Sequence, residues 1–213
     1  MNPSSAKLVL ELHVFRSPRY RSVVREAVDF FNKTPVHSLP PPERFAGSGV
    51  YALYYLGRFQ AYSSVPRLTS PDFVLPIYVG KAVPKGWRTG RSVTSDEPEL
   101  YRRLSEHQRS IQEATNLRVK DFRCRFMVLR EEEADLVVPT EAELIREFSP
   151  LWNSTVSGFG IHHPGGGRYG QAPSEWDVLH PGRSFVRKLT GRAAKVRDIT
   201  AEIAATYATQ KLF

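Results

Sequence analysis

The chain has 213 residues and carries 30 Lys and Arg against 22 Asp and Glu, a formal net charge of +8. That length favours one well-buried domain with appendages over two full domains, and the single cysteine, Cys124, excludes a disulfide framework and a multi-cysteine zinc site. Arginine supplies 22 of the 30 cations; its planar fork of donors suits phosphate oxygens and the O6/N7 edge of guanine, which makes a polyanion the leading partner, although ribosomal and membrane-surface proteins share a basic balance.

The N-terminal stretch MNPSSAKLVLELHVFRSPRYR has a short apolar patch broken by Glu11 and His13. It is neither a secretory leader nor a membrane span, and the protein is expected to be soluble and cytoplasmic. Ser17 as N-cap and Pro18 at the first helical position predict an amphipathic helix over 18–32, with Val24, Ala27, Val28 and Phe31 on one face. TPVHSLPPPERFAGSG is expected to form an irregular, semi-rigid arm, because its prolines remove backbone donors. GVYALYYLG and LPIYVG are short, apolar, aromatic and glycine-bounded, and both predict strands. The intervening RFQAYSSVPRLTSPDFV exceeds the roughly two to five residues of a hairpin loop, so it is an insertion with its own role or its own disorder.

AVPKGWRTGRSVTSDEP reads as a basic loop with one tryptophan, and residues 99–113 as a helix with Leu100, Leu104 and Ile111 inward. FRCRFMVLR predicts a third strand, with Phe122, Cys124 and Phe126 on one face, Arg123 and Arg125 on the other, and Cys124 packing as a small hydrophobe. Thr140-Glu141-Ala142-Glu143 has the pattern of a capping box, which opens a short helix through Phe148 that Pro150 ends. The glycine-rich stretch 154–183, with GFGIHHPGGGRYG and WDVLHPGR, is too long for a plain connector, and a helix is expected from Asp198 onward.

Arg103 and His107 stand four apart on the predicted helix and so share a face, where one could hold a phosphate while the other handles a proton. Taken singly, each candidate has a plain structural reading. Strand tyrosines pack, an acid such as Glu141 in a first helical turn is favoured by the dipole, Arg103 and His107 fit a solvated face, and Asn153 fits a chain turn. His162, His163 and His180 lack the spacing and the acidic or cysteine partners of a zinc site. Neither the aspartate and Glu-x-Lys core common among restriction enzymes nor the paired histidines and asparagine of metal-finger nucleases is evident.

Gly49-Val50-Tyr51 followed by Tyr78-Val79-Gly80, then Arg103, His107, Glu141 and Asn153 in that order, resembles the signature of the GIY-YIG nuclease superfamily. TPVHSLPPPERF, GVYALYY, LPIYVGKAVP, PLWN and WDVLHPGR, spread over 34–183, are similar to the small Type II restriction endonucleases of that superfamily that cut the palindrome CCGCGG. Two features depart from the superfamily at large: valine replaces isoleucine in both halves of the motif, and 26 residues separate Tyr51 from Tyr78, a long insertion that looks like the restriction branch.

The resemblance implies an α/β (α+β) fold with a small three-stranded mixed or antiparallel sheet flanked by helices. Residues 1–213 would form a single nuclease domain: helix and arm over 1–44, catalytic core over 45–153, and glycine-rich loop with C-terminal helices over 154–213. By the same resemblance Glu141 is the metal-binding carboxylate, Tyr51 lies beside the attacking water and His107 accepts its proton. Arg103 faces the scissile phosphate, with Tyr78 and Asn153 supporting the site. A free tyrosine is a poor base near neutrality, so relay from Tyr51 to a neutral His107 is favoured, with a Tyr51 phenolate left open. The implied cofactor is Mg²⁺, with Mn²⁺ as a substitute, and the implied partners are double-stranded DNA, a second copy in a homodimer, and a cognate DNA methyltransferase that acts separately. Lys81, Arg88, Arg91 and Arg168 are candidate DNA contacts. The competing readings are a homing or repair nuclease of the same superfamily and a non-catalytic DNA-binding protein.

Overall fold

The computed structural model describes residues 8–65, 69, 72–84, 86–87, 96–161, 167 and 169–209. Its centre is a four-stranded antiparallel sheet of β1 (Val36–Ser38), β2 (Ser48–Tyr55), β3 (Tyr78–Ala82) and β4 (Phe122–Leu129), in the order β1-β4-β2-β3. All eight residues of β2 are buried because this strand is paired on both sides and covered on both faces. Its register sets Tyr51 opposite Gly80 on one side and Phe126 on the other.

The three expected strands are β2, β3 and β4; the fourth corrects the reading of the proline-rich arm as irregular throughout. Val36, His37 and Ser38 lie between the prolines, keep their donors, and pair with Arg125, Cys124 and Arg123 at the sheet edge, where one paired side suffices. Cys124 is buried beneath this edge, its thiol 3.1 Å from the Ser38 carbonyl, and burial pushes the thiol up to about 12.

Alternation along the strands builds two cores. On one face Tyr51, Leu53, Tyr55, Phe122 and Cys124 pack with Leu100, Leu104 and Ile111 of α2 (Glu99–Glu113). Three further helices complete that core: α4 (Leu151–Ser154) contributes Trp152, α5 (Glu175–Leu179) Trp176 and Leu179, and α6 (Val196–Thr209) Ile199 and Ile203. On the opposite face Val50, Ala52, Tyr54 and Val79 meet Val28 and Phe31 of α1 (Tyr20–Lys33) and Val137 and Leu144 of α3 (Val137–Phe148). This is the expected α/β class, a small antiparallel sheet flanked by helices. Among the described residues, no helix is long and apolar enough to cross a membrane.

Helix α2 has the bounds its periodicity predicts, whereas two helix starts differ. α1 begins at Tyr20 after a turn at Pro18 and Arg19, and no side chain caps it, so Ser17 is not its N-cap. α3 begins at Val137 out of a 3-10 turn, Glu131–Leu136; Thr140 is its fourth residue and has a buried side chain, so Thr140 and Glu143 do not form a capping box. Pro139 is accommodated because the first helical turn needs no donor from it. Glu141 therefore lies beyond the first turn, and the dipole reading of it falls away.

The insertion between β2 and β3 is, where described, part of the core. Tyr62 and Val65 are buried with the α2-side cluster. Tyr62 Oη donates to His180 Nε2 at 2.6 Å and accepts from Trp152 Nε1 at 3.0 Å, while His180 Nδ1 donates to Asn116 Oδ1 at 2.9 Å. Burial pushes His180 down to about 3, so its imidazole is neutral and this assignment satisfies both ring nitrogens.

Candidate active site

β3 is an edge strand of the sheet, and side chains from α2, α3 and β2 meet its own there. They line a cleft of about 470 Å³ that includes Tyr51, Tyr78, Lys81, Arg103, Glu106 and Glu141. Tyr51 and Tyr78 come from the α2 face of the sheet. Lys81 pairs with Val50 and so points to the α3 face, where its ammonium group forms an ion pair with Glu141 Oε2.

Tyr51 is fully buried, and its Oη lies 2.6 Å from His107 Nε2. The Tyr51 ring crosses its neighbour strand at Gly80, where a Cβ would stand 2.5 Å from the Tyr51 hydroxyl oxygen; only glycine leaves that path open. Tyr78 lies beside it, with ring centroids 6.2 Å apart, and the His107 ring stacks on Phe159 at 4.5 Å. Burial first, then Tyr78, pushes Tyr51 well above the usual phenol range; Arg103 opposes the shift and Glu141 adds to it. Tyr78 is also raised, chiefly by burial, against the lowering pull of Arg103. Both groups are neutral phenols near pH 7.

Arg103 is held at both ends. Its Nη2 donates to the Gly160 carbonyl at 3.0 Å and its Nη1 to Glu106 Oε2 at 3.2 Å. The loop bearing Gly160 is in turn fixed by Arg183, which donates to the carbonyls of Gly158 at 3.0 Å, Phe159 at 3.2 Å and Ile161 at 2.7 Å. Arg183 pairs with Asp177 through bonds of 2.6 and 2.7 Å and lies over the Trp176 ring at 4.7 Å. Both ends of WDVLHPGR therefore brace the loop that braces Arg103.

Asn153 sits behind the cleft. Its side-chain amide accepts from the Val79 N–H and donates to the Val79 carbonyl, both at 2.8 Å, and so pairs the outer edge of β3 between Tyr78 and Gly80. The structure thus gathers Tyr51, Tyr78, Lys81, Arg103, His107 and Glu141 in and immediately behind one cleft, with Asn153 supporting its edge strand. Arg88, Arg91 and Arg168, with His162 and His163, lie outside the described residues. Sequence reasoning missed Gly160, Glu99, Arg102 and Glu106. The two glutamates carry the faint signal of i,i+3 spacing from an arginine, whereas Gly160 is found only through the fold.

Among the described residues, no three potential ligand side chains cluster to hold a metal. Glu141 is the carboxylate whose charge reaches both Tyr51 and Tyr78, and a hard cation that keeps most of its waters needs little more from protein. The Glu141 charge is matched in this structure by the Lys81 ammonium group.

The model of a protein family, the Eco29kI GIY-YIG domain, matches residues 43–207. The chain belongs to this family. It is thus a nuclease of a restriction-endonuclease family, with DNA as its substrate, and GIY-YIG nucleases generally use divalent metal ions. The matched region takes in every residue of the cleft. No curated protein matches the chain.

Proposed function

We propose that this member of the Eco29kI GIY-YIG family is a Type II restriction endonuclease that hydrolyses one phosphodiester in each strand of a palindromic duplex site, CCGCGG being the candidate sequence, with Mg²⁺ held by Glu141. The observation that carries the reading is the 2.6 Å contact between His107, buried behind the cleft, and Tyr51, which lines it together with Arg103 and Glu141. A water attacking phosphorus gives its proton to Tyr51 Oη as Tyr51 passes its own to His107 Nε2. No standing phenolate is then required of a phenol that burial holds neutral. Arg103 places a guanidinium where negative charge grows on the phosphate oxygens, a contact stronger in the transition state than in the ground state. A divalent cation on Glu141 adds charge stabilisation at those oxygens and at the leaving 3′ oxygen.

Lys81 must leave Glu141 for that cation to bind, and its ammonium group can then turn to a phosphate oxygen. Tyr78 flanks Tyr51, and Asn153 holds the strand that carries Tyr78 and Gly80. We assign residues 1–213 to one nuclease domain that works in the cytoplasm. A two-fold target is met most simply by a homodimer with one site per subunit. Arg88, Arg91 and Arg168 remain the candidate base or phosphate contacts, Mn²⁺ the substitute cation, and a separately acting methyltransferase the functional partner.

The test is digestion of a plasmid with a single CCGCGG site, with Mg²⁺ or with chelator, by wild type and Glu141→Ala. One cation-dependent cut at that site, lost in the variant, is expected. Cleavage elsewhere would overturn the specificity, and no cleavage by folded protein on a broad DNA set under several metals would overturn the enzymatic reading.

A further inference from the structure

A cleft that receives a polyanion should present uncompensated positive charge, yet its described cations are matched by carboxylates of the same chain. Lys81 pairs with Glu141, Arg102 with Glu99 and Arg103 with Glu106, and all six line the cleft. The three acids are not equivalent. Glu141 is the candidate metal ligand. Glu99 has a side chain only 5% exposed and lies in the first turn of α2, where the helix dipole favours an acid. Glu106 lies in the helix interior, gains nothing from the dipole, and keeps 28% of its side chain exposed.

The Gly160 and Glu106 holds on Arg103 also differ in kind. Gly160 offers a neutral carbonyl on a braced loop, so that bond orients the guanidinium without cancelling its charge. Glu106 offers an anion, at the longer distance of 3.2 Å and from a side chain with solvent on one side. A phosphate oxygen is the other common acceptor for a guanidinium edge.

We propose that Glu106 stands in for the substrate phosphate on Arg103 and is exchanged for it when DNA binds, so that this carboxylate sets the affinity of the cleft for the DNA backbone. The inference rests on Arg103 being the phosphate-facing arginine. Breaking a partly exposed ion pair opposes binding modestly, and the displaced carboxylate then repels the phosphate that replaced it. Neutralising Glu106 should therefore tighten DNA binding about three- to tenfold. Salt dependence gives a second readout. In the wild type the displaced Glu106 charge offsets part of the positive charge that Arg103 brings to the phosphate; without it the slope of log K against log salt should steepen, by at most about 0.9.

The experiment is titration of short duplexes, one carrying CCGCGG and one scrambled, in chelator at several salt concentrations, with wild type and Glu106→Gln. Tighter binding with a steeper salt slope is expected. Equal or weaker binding would overturn the proposal, since a carboxylate that merely orients Arg103 would lower affinity when removed. Glu106→Ala provides the same readings if the glutamine variant melts early. In an Arg103→Gln background the gain should vanish; a gain that persists would mean Glu106 acts by general charge and would equally refute the exchange. A wild type that binds neither duplex takes the nuclease reading down as well, whereas binding by wild type without a gain in Glu106→Gln removes this inference alone.

Discussion

Gly80→Ala places a methyl group where the Tyr51 ring crosses β3. The added carbon would stand 2.5 Å from Tyr51 Oη, 2.7 Å from Cζ and 3.0 Å from Tyr78 Cε1. An unstrained contact needs about 3.5 Å, so the hydroxyl must retreat by roughly 1 Å. β2 cannot yield, since it is paired to β3 and β4 and buried along its whole length. The ring must swing instead, and the 2.6 Å contact with His107 lengthens beyond hydrogen-bonding range. A catalytic group misplaced by about 1 Å loses on the order of 10²-fold in rate, and the overpacking itself destabilises by about 1–3 kcal/mol. Single-turnover cleavage of duplex DNA by excess enzyme measures the first effect, and a denaturant curve the second. If Gly80 acts through the hydroxyl, most of the loss is already present in Tyr51→Phe, and adding Gly80→Ala to that variant slows it little further. A folded Gly80→Ala enzyme cleaving at the wild-type rate, or two losses that multiply in full, would refute the reasoning.

If Glu141 holds the cation as proposed, Lys81→Met removes the ammonium group that the cation displaces, so Mg²⁺ binding without DNA should tighten, by about 1 kcal/mol for a half-buried pair; calorimetry showing equal or weaker binding would count against the displacement. Asn153→Ala deletes both bonds to Val79, and should lose about 1–3 kcal/mol of stability and speed hydrogen exchange at the Val79 amide; unchanged protection there would contradict the edge-pairing role. His180, held near 3 against an ordinary 6.5, stabilises the fold fully above pH 6.5 and progressively less as pH falls towards 3, because the unfolded imidazole gains a proton that the folded one refuses. Between pH 6.5 and 5 that amounts to about 2 kcal/mol, read as a steeper fall of the denaturant midpoint in wild type than in His180→Gln; parallel curves would exclude it.

Local pattern in the sequence makes some of this legible. α2 is found with its expected bounds, and the spacing of Arg103 and His107 already puts them on one face. Periodicity cannot supply the register that sets Tyr51 against Gly80, because strand pairing is decided by contacts across the sheet. β1 is hidden by the prolines around it, and the true start of α3 by a capping pattern whose threonine is buried instead. The route from Arg183 through the 158–161 loop to Arg103 joins residues far apart in the chain, so spacing holds no trace of it. Glu106 is concealed for a different reason. An acid three residues after an arginine is what any solvated helix face displays, and only the cleft around the pair changes its meaning.

Among the described residues, two buried tyrosine–histidine pairs have the same 2.6 Å separation, and the contrast explains why only one of them is proposed to be chemical. In the Tyr62–His180 pair Trp152 donates to the phenol oxygen and Asn116 receives the far ring nitrogen, so the hydrogen bonds run from one packed element to the next. Burial dominates its titration: it holds the imidazole neutral and raises the phenol. The Tyr51–His107 pair is just as buried, but its phenol also feels Arg103 and Glu141 and forms a wall of the cleft. A proton delivered to Tyr62 has no substrate to come from. In the proposed reaction, one delivered to Tyr51 would come from the space between a guanidinium and a carboxylate, where opposite charges can hold a phosphate and a cation side by side. The pair alone is a packing device; the proposed reaction rests on the fold opening Tyr51 onto a cleft at β3, a strand that helices from both faces of the sheet reach at its edge.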